Sequence, residues 1–303
     1  MRVFLIMTAI LLMVAANAVQ AADISLVVQG QWGKETNQIG IRFPSPGVMP
    51  VAPYQCIGGY DVDESGRFWL TDSVNRMLKS WKNKEWSYVM TSFDRMGDIA
   101  CFEKRLYVVT RAPDGVAVIN PESGKVEQQL RISFNNPGRI RIFTAGIIGV
   151  EEPGVGLWLV RNGKAELHPA ISLEAVSDGK TIYGLQYNFE EGSRTIVSAE
   201  LAEQPQEPET VTLFEAGDSI VFSKMAGLIN QRPAFMVVTK SKPAFLSLYS
   251  LDQQQQPKKR AELPVLEAPF LTSSWKLCSD GRFYGFEGTA TGGFKILRYD
   301  GKM

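Results

Sequence analysis

The chain has 303 residues, 45% of them apolar, with 32 lysines and arginines against 32 aspartates and glutamates. A neutral balance with no basic run longer than Lys258-Lys259-Arg260 excludes a nucleic-acid partner, which needs concentrated positive charge on one face. Beyond the N-terminal segment, no apolar stretch approaches the ~20 residues that a membrane-spanning helix requires.

The first element is a targeting segment. Met1-Arg2 gives a short positive start, Val3 to Ala16 is apolar except for Thr8, and Ala16-Asn17-Ala18 and Val19-Gln20-Ala21 are small-residue cleavage signals. The pattern predicts a secretory signal peptide over residues 1–21 and a secreted or periplasmic mature protein. A membrane anchor is the alternative, but the apolar run is short for a span, and no cysteine follows it to accept a lipid. Residues 22–303 are expected to form one domain.

Next comes Ile24 to Trp32, which has strand composition. A motif then begins to return: a charged or glycine-bearing turn leads into Phe68-Trp69, Leu106-Tyr107, Ile182-Tyr183 and Phe283-Tyr284. Positions 69 and 107 lie 38 apart, and 107 and 183 lie 76 apart, twice that interval. Such a period, filled with short strand patterns and no long helix, predicts an all-β, six-bladed β-propeller, with seven blades as the alternative. The second and third strands are read at 67–71 and 77–81, 105–110 and 116–120, 145–150 and 156–160, 181–186 and 195–201, 234–239 and 245–251, and 282–287 and 294–299. Residues 203–209 and 252–260 are polar, proline-bearing insertions and are expected to be loops. The last blade has no fourth strand of its own, so Ile24 to Trp32 is expected to supply it and close the ring.

The first blade reads Val62-Asp63-Glu64-Ser65-Gly66-Arg67-Phe68-Trp69-Leu70-Thr71-Asp72-Ser73-Val74-Asn75-Arg76-Met77-Leu78. This resembles the NHL repeat, which combines an Asp-x-x-Gly turn, an aromatic strand and an Asp-x-x-Asn turn before a basic-aliphatic pair. Ser279-Asp280-Gly281-Arg282-Phe283-Tyr284 resembles it again, so the likeness is strongest over 61–81 and 276–299. The resemblance implies the propeller fold. It does not choose among the binding modules, scaffolds, lactonases, esterases and lyases built on it. Asp63, Gly66, Asp72 and Asn75 are expected to serve turn chemistry. Phe68, Trp69, Tyr107, Tyr183 and Tyr284 are expected to pack between sheets.

Little in the chain points to catalysis. The one histidine, His168, falls at the end of a fourth strand. Cys101 and Cys278 sit six residues before their blade aromatics and Cys56 sits thirteen before Trp69. That difference is roughly 23 Å of extended chain, while a disulfide needs Cα atoms within about 7 Å. Buried thiols are expected, and no zinc site. Asp61, Asp98, Glu174 and Asp218 fall near innermost strands and could be weighed as calcium ligands of a propeller hydrolase, of the lactonase or esterase type. They do not share one position in the repeat.

The preferred reading is recognition without catalysis. The loops joining fourth to first and second to third strands share one face, and they carry arginines and aromatics, the composition of binding hot spots. Arg76, Arg111, Arg139, Tyr187 and Trp275 are the candidate binding residues, with Arg95 and Arg194 in the same loops. No catalytic residue, metal ligand or cofactor is assigned. The expected partner is a protein or small-molecule ligand, and the chain is expected to be a monomer.

Overall fold

The computed structural model describes residues 23–42, 57–169, 171, 174–188, 193–201, 209–214, 220–240, 245–266, 275–289 and 292–301. Among these residues there are strands and no helix, arranged as six sheets around an axis, antiparallel but for one short parallel pair near the N-terminus: a six-bladed β-propeller.

Two N-terminal strands, β1 (Ile24–Trp32) and β2 (Gln38–Ile39), precede the first blade. Blade one is β3 (Ile57–Val62), β4 (Phe68–Asp72), β5 (Met77–Lys82) and β6 (Glu85–Met90). Blade two is β7 (Arg95–Phe102), β8 (Arg105–Arg111), β9 (Gly115–Ile119) and β10 (Val126–Arg131). Blade three is β11 (Ile140–Thr144), β12 (Ile147–Glu152), β13 (Gly156–Arg161) and β14 (Lys164–Leu167). Blade four is β15 (Val176–Ser177), β16 (Thr181–Asn188), β17 (Ser193–Glu200) and β18 (Glu209–Phe214). Blade five is β19 (Ile220–Ile229), β20 (Arg232–Thr239), β21 (Phe245–Leu251) and β22 (Pro257–Pro264). Blade six holds β23 (Trp275–Leu277), β24 (Phe283–Thr289) and β25 (Gly293–Tyr299), and β1 lies antiparallel beside β25, with Ile24 opposite Tyr299 and Gly30 opposite Phe294.

The strand alternation serves two seams rather than an inside and an outside. In β8, Leu106 and Val108 face blade one while Tyr107 and Val109 face blade three. A strand buried on both faces reads as a continuous apolar run, and Leu106 to Val109 are all buried. Six such apolar seams run around the ring. The seam between blades six and one takes Val28 and Ile39 from the N-terminal strands beside Tyr60, Phe68, Phe286 and Phe294. Its rings are in contact: Tyr60 stacks on Phe68 at 5.4 Å and Phe286 on Phe294 at 5.8 Å. Offset aromatic pairs of this kind add about 0.5–1.5 kcal/mol each beyond area burial.

The repeat aromatics do pack between sheets, and three also reach the turn before them. Trp69 Nε1 donates to Asp63, Tyr183 Oη to Asp178, and Tyr284 Oη to Asp280, at 3.0, 3.2 and 2.8 Å. The same aspartates accept turn N–H groups: Asp63 from Ser65 and Arg67, Asp178 from Lys180 and Thr181, Asp280 from Arg282. Gly66 and Gly281 take φ of 74° and 77°, the left-handed conformation glycine adopts without a Cβ penalty. Each carboxylate therefore fixes its turn and aims the ring that follows.

One segment departs from the sequence reading. Residues 257–260, expected within a loop, are the first half of strand β22, and only Asp252–Gln256 forms the turn. An outermost strand needs little apolar character, because its outer edge and alternate side chains meet water. Pro257 is tolerated as the first strand residue. Residues 202–208, most of the other predicted insertion, lie outside the described residues, as do 1–22 and Cys56. Cys101 and Cys278 are buried free thiols, as expected.

Candidate recognition site on the loop face

The inner strands carry charged side chains from distant parts of the sequence into one belt around the axis. Lys276 on β23 donates to the carbonyls of Tyr60 and Ile99 at 2.8 and 3.0 Å and pairs with Asp98 at 3.3 Å. The second oxygen of Asp98 accepts the Ile140 N–H of blade three. Asp61 accepts the Cys101 N–H of blade two and both the N–H and hydroxyl of Ser279 after β23. Arg139 forms a two-pronged pair with Glu174 at 2.8 and 2.9 Å and faces Glu151 at 4.0 Å. Glu174 also accepts the Met225 N–H, and Glu151 the Ala175 N–H. These carboxylates join one blade to the next.

Burial and charge act against each other along this belt. Burial disfavours the Arg139 cation, yet Glu151 and then Glu174 hold it above the ordinary arginine value. Burial raises the Glu151 carboxyl although Arg139 opposes it. Burial, and then the Arg139 charge, push the Lys224 ammonium on β19 well below the ordinary lysine value. Asp61, Asp98 and Glu174, the weighed calcium ligands, thus have separate partners, and Asp218 lies outside the described residues. Among the described residues no group of three or more histidine, cysteine, aspartate or glutamate side chains is placed to hold a metal ion.

The loop face is different. Between blades one and two it opens into a depression of about 500 Å³ lined by Arg42, Arg76, Arg95 and Arg111, with Asp94. Antiparallel pairing sets Arg95, the first residue of β7, directly opposite Arg111, the last of β8. Arg76, in the turn between β4 and β5, pairs with Asp94 at 2.9 Å, both side chains 58% exposed. Arg111 donates to the Asn136 side chain at 3.1 Å. Gly58 and Gly97 complete the lining where the first strands of the two blades meet. A Cβ at Gly58 would stand 2.3 Å from the Met96 carbonyl oxygen, so only glycine permits this approach. Ser73 and Thr71 bridge the same seam, donating to the Met96 and Gly97 carbonyls.

The structure separates the five candidate residues. Arg76 and Arg111 share the depression. Arg139 is buried and belongs to the axial belt, so as a surface anchor it is corrected: its guanidinium is engaged by Glu174 and Glu151. Trp275 is also corrected, since it is fully buried at the seam of blades five and six with its Nε1 donating to Pro264. Tyr187 is 39% exposed at the loop-face end of β16, away from the depression, with the Arg194 guanidinium 3.4 Å from its ring centroid. Sequence reading missed Arg42, which falls before the first blade and belongs to no repeat position.

It also gave Asp72 and Asn75 too small a role. They form the expected turn, Asn75 N–H to Asp72 at 3.1 Å, but Asp72 also accepts the Gly40 N–H and Asn75 donates to the Gly33 carbonyl. Lys79, fully buried, pairs with Asp72 at 3.4 Å and donates to the Glu35 and Gln38 carbonyls. This buried cluster grips the segment between β1 and β2 from blade one. Burial lowers the Lys79 ammonium although Asp72 opposes the shift.

No protein-family model matches the chain. No curated protein sequence matches it either. Among solved structures it is similar to regucalcin from Agrobacterium tumefaciens, described as a calcium-binding protein, at 14% identity over 83% of this chain and 93% of that one, with a TM-score of 0.53. It is also similar to Kuenenia stuttgartiensis hydrazine synthase, at 11% identity over 80% of this chain and 76% of that one, with a TM-score of 0.51. Identities this low carry the architecture and nothing of the chemistry, and on that footing the chain is a six-bladed β-propeller.

Proposed function

We propose that this protein is an exported propeller that recognises a ligand or partner on its loop face and has no catalytic activity of its own. The observation that carries the reading is the contrast in how charged groups are used. The axial carboxylates are occupied by backbone N–H groups and buried cations, whereas the loop face offers arginines in an accessible concavity. A calcium-dependent hydrolase would need several oxygen ligands converging on one ion, with a base in reach of bound water or substrate. The test is elemental analysis of the purified protein with thermal melts with and without calcium. Recognition predicts no stoichiometric calcium and an unchanged melt. Stoichiometric calcium, whose removal abolishes hydrolysis of a lactone or aryl ester, would overturn the reading.

Export rests on the pattern of residues 1–21, and mass spectrometry of protein from its native compartment should find a start near Ala22 or Val19. Ring closure by β1 is part of the same proposal. It is supported by the pairing of β1 with β25 and by the grip of Asp72, Asn75 and Lys79 on residues 33–40. Deleting residues 22–39 from the mature chain should expose the β25 edge and give an aggregating or swapped species. A stable monomer with an unchanged melt would refute closure.

A further inference from the structure

We propose that the depression between blades one and two binds a small ligand carrying at least two oxyanion groups, phosphate or carboxylate. The inference rests on the recognition reading and names the ligand chemistry for it. Its first support is a like-charge pair. Arg95 and Arg111 are direct cross-strand partners at the loop-face end of blade two, so their side chains leave the same side of the sheet. Like charges directly opposite destabilise a sheet; Arg111 bonds the neutral Asn136 side chain and its charge reaches the buried Glu152 carboxylate, while Arg95 at the sheet edge stays exposed. The position makes sense if a bound anion lies across both guanidiniums, whose planar forks match carboxylate and phosphate oxygens.

The second support is concentration. The chain is neutral overall, yet this depression collects four arginines with one aspartate. The depression on the opposite face between the same two blades has the reverse character, with Asp63, Glu64, Glu103 and Glu122 against Lys104 and Arg105. A generally basic surface therefore does not explain the cluster. The third support is that one of the arginines is weakly held: the Arg76–Asp94 pair is solvent-exposed, and exposed pairs contribute little. An incoming anion can take Arg76 from Asp94. The volume, about 500 Å³, suits a small molecule. The glycines where the two blades meet leave backbone rather than side chains in the lining.

The probes are inorganic pyrophosphate and citrate, titrated calorimetrically at low ionic strength into the mature protein, with inorganic phosphate and acetate as single-group controls. At least one of the two larger anions should bind more tightly than its control, and which one identifies the phosphate or carboxylate class. Arg95→Gln and Arg111→Gln should each weaken that binding by about tenfold or more, since hydrogen bonds to charged groups are the strong ones. Without ligand Arg95→Gln should melt at or slightly above the parent temperature, because it removes the repulsion, whereas Arg111→Gln also gives up the bond to Asn136. Asp94→Asn should tighten binding. If neither pyrophosphate nor citrate binds better than its control, or if the arginine variants bind as the parent does, the proposal fails. Failure here with no bound calcium removes only the ligand class. Calcium-dependent hydrolysis would instead remove the recognition reading.

Discussion

Arginine has opposite roles in two neighbouring parts of this molecule. Arg139 is buried, held in a fork by Glu174 and faced by Glu151. Arg95 and Arg111 lie opposite each other at the loop-face ends of adjacent strands, and the neighbouring Asp94 makes an exposed pair with Arg76. In the belt the carboxylates Asp61, Asp98 and Glu174 are held by cations, hydroxyl or backbone N–H groups that the fold supplies, as burial demands. On the loop face the fold leaves positive charge in excess, which water tolerates and a ligand can use. The residue type is the same, and burial decides whether its charge is clamped inside the fold or left facing water.

The largest test of this contrast is to remove the buried clamp. Arg139→Met leaves Glu151 and Glu174 without their cation in the belt, and should cost about 3–5 kcal/mol, read by urea denaturation. A loss under 1 kcal/mol would mean that water or Lys224 compensates the acids and that the belt is not a clamp.

The seam under the arginine depression gives a smaller effect. Gly58→Ala places a Cβ against the Met96 and Gly97 carbonyls. Overpacking of this kind should cost about 1–3 kcal/mol and widen the gap between blades one and two. An unchanged melt would show that the blades can slide apart freely.

His168 sharpens the comparison through pH. It is buried and its Nδ1 accepts the Ile171 N–H. Burial, and then the Arg161 charge, lower its pKa below the ordinary value. Above the unfolded value near 6.5 it is neutral in both states and contributes no pH dependence. As pH falls through 6.5 toward the folded value, the unfolded chain takes up a proton that the folded one resists, so stability falls. The slope should be at most about 1.4 kcal/mol per pH unit. The difference in unfolding free energy between parent and His168→Gln should vary between pH 7 and 5, and a constant difference would contradict it.

The smallest expected effect is the most informative about the loop face. Arg95→Gln should leave unfolding free energy within about 0.5 kcal/mol of the parent, because the side chain is exposed. A large loss would show that Arg95 is a clamp like Arg139, and the contrast between the two regions would collapse.

The blades were legible because their signals are local. A turn aspartate, a glycine with positive φ and an apolar-aromatic pair lie within a few residues of one another, as Asp63, Gly66 and Trp69 do. The basic strand at 257–260 was hidden because an edge strand needs no apolar pattern. The depression was half legible: Arg76 and Arg111 could be placed on the loop face that holds it by counting strands. Arg139 and Trp275 sit at the same kind of position but were turned inward, by Glu174 in one case and by the seam of blades five and six in the other. Nothing local distinguishes them.

By itself the sequence determined the repeat, the fold class, the six blades and the face on which loops gather, since each follows from spacing along the chain. Only the tertiary structure decided which charges pair and which stay open. Asp61 meets Ser279, Asp98 meets Lys276 and Arg95 meets Arg111 because closing a ring brings inner strands and blade edges together, and Coulomb energy and desolvation depend on that distance in space and not on separation in sequence.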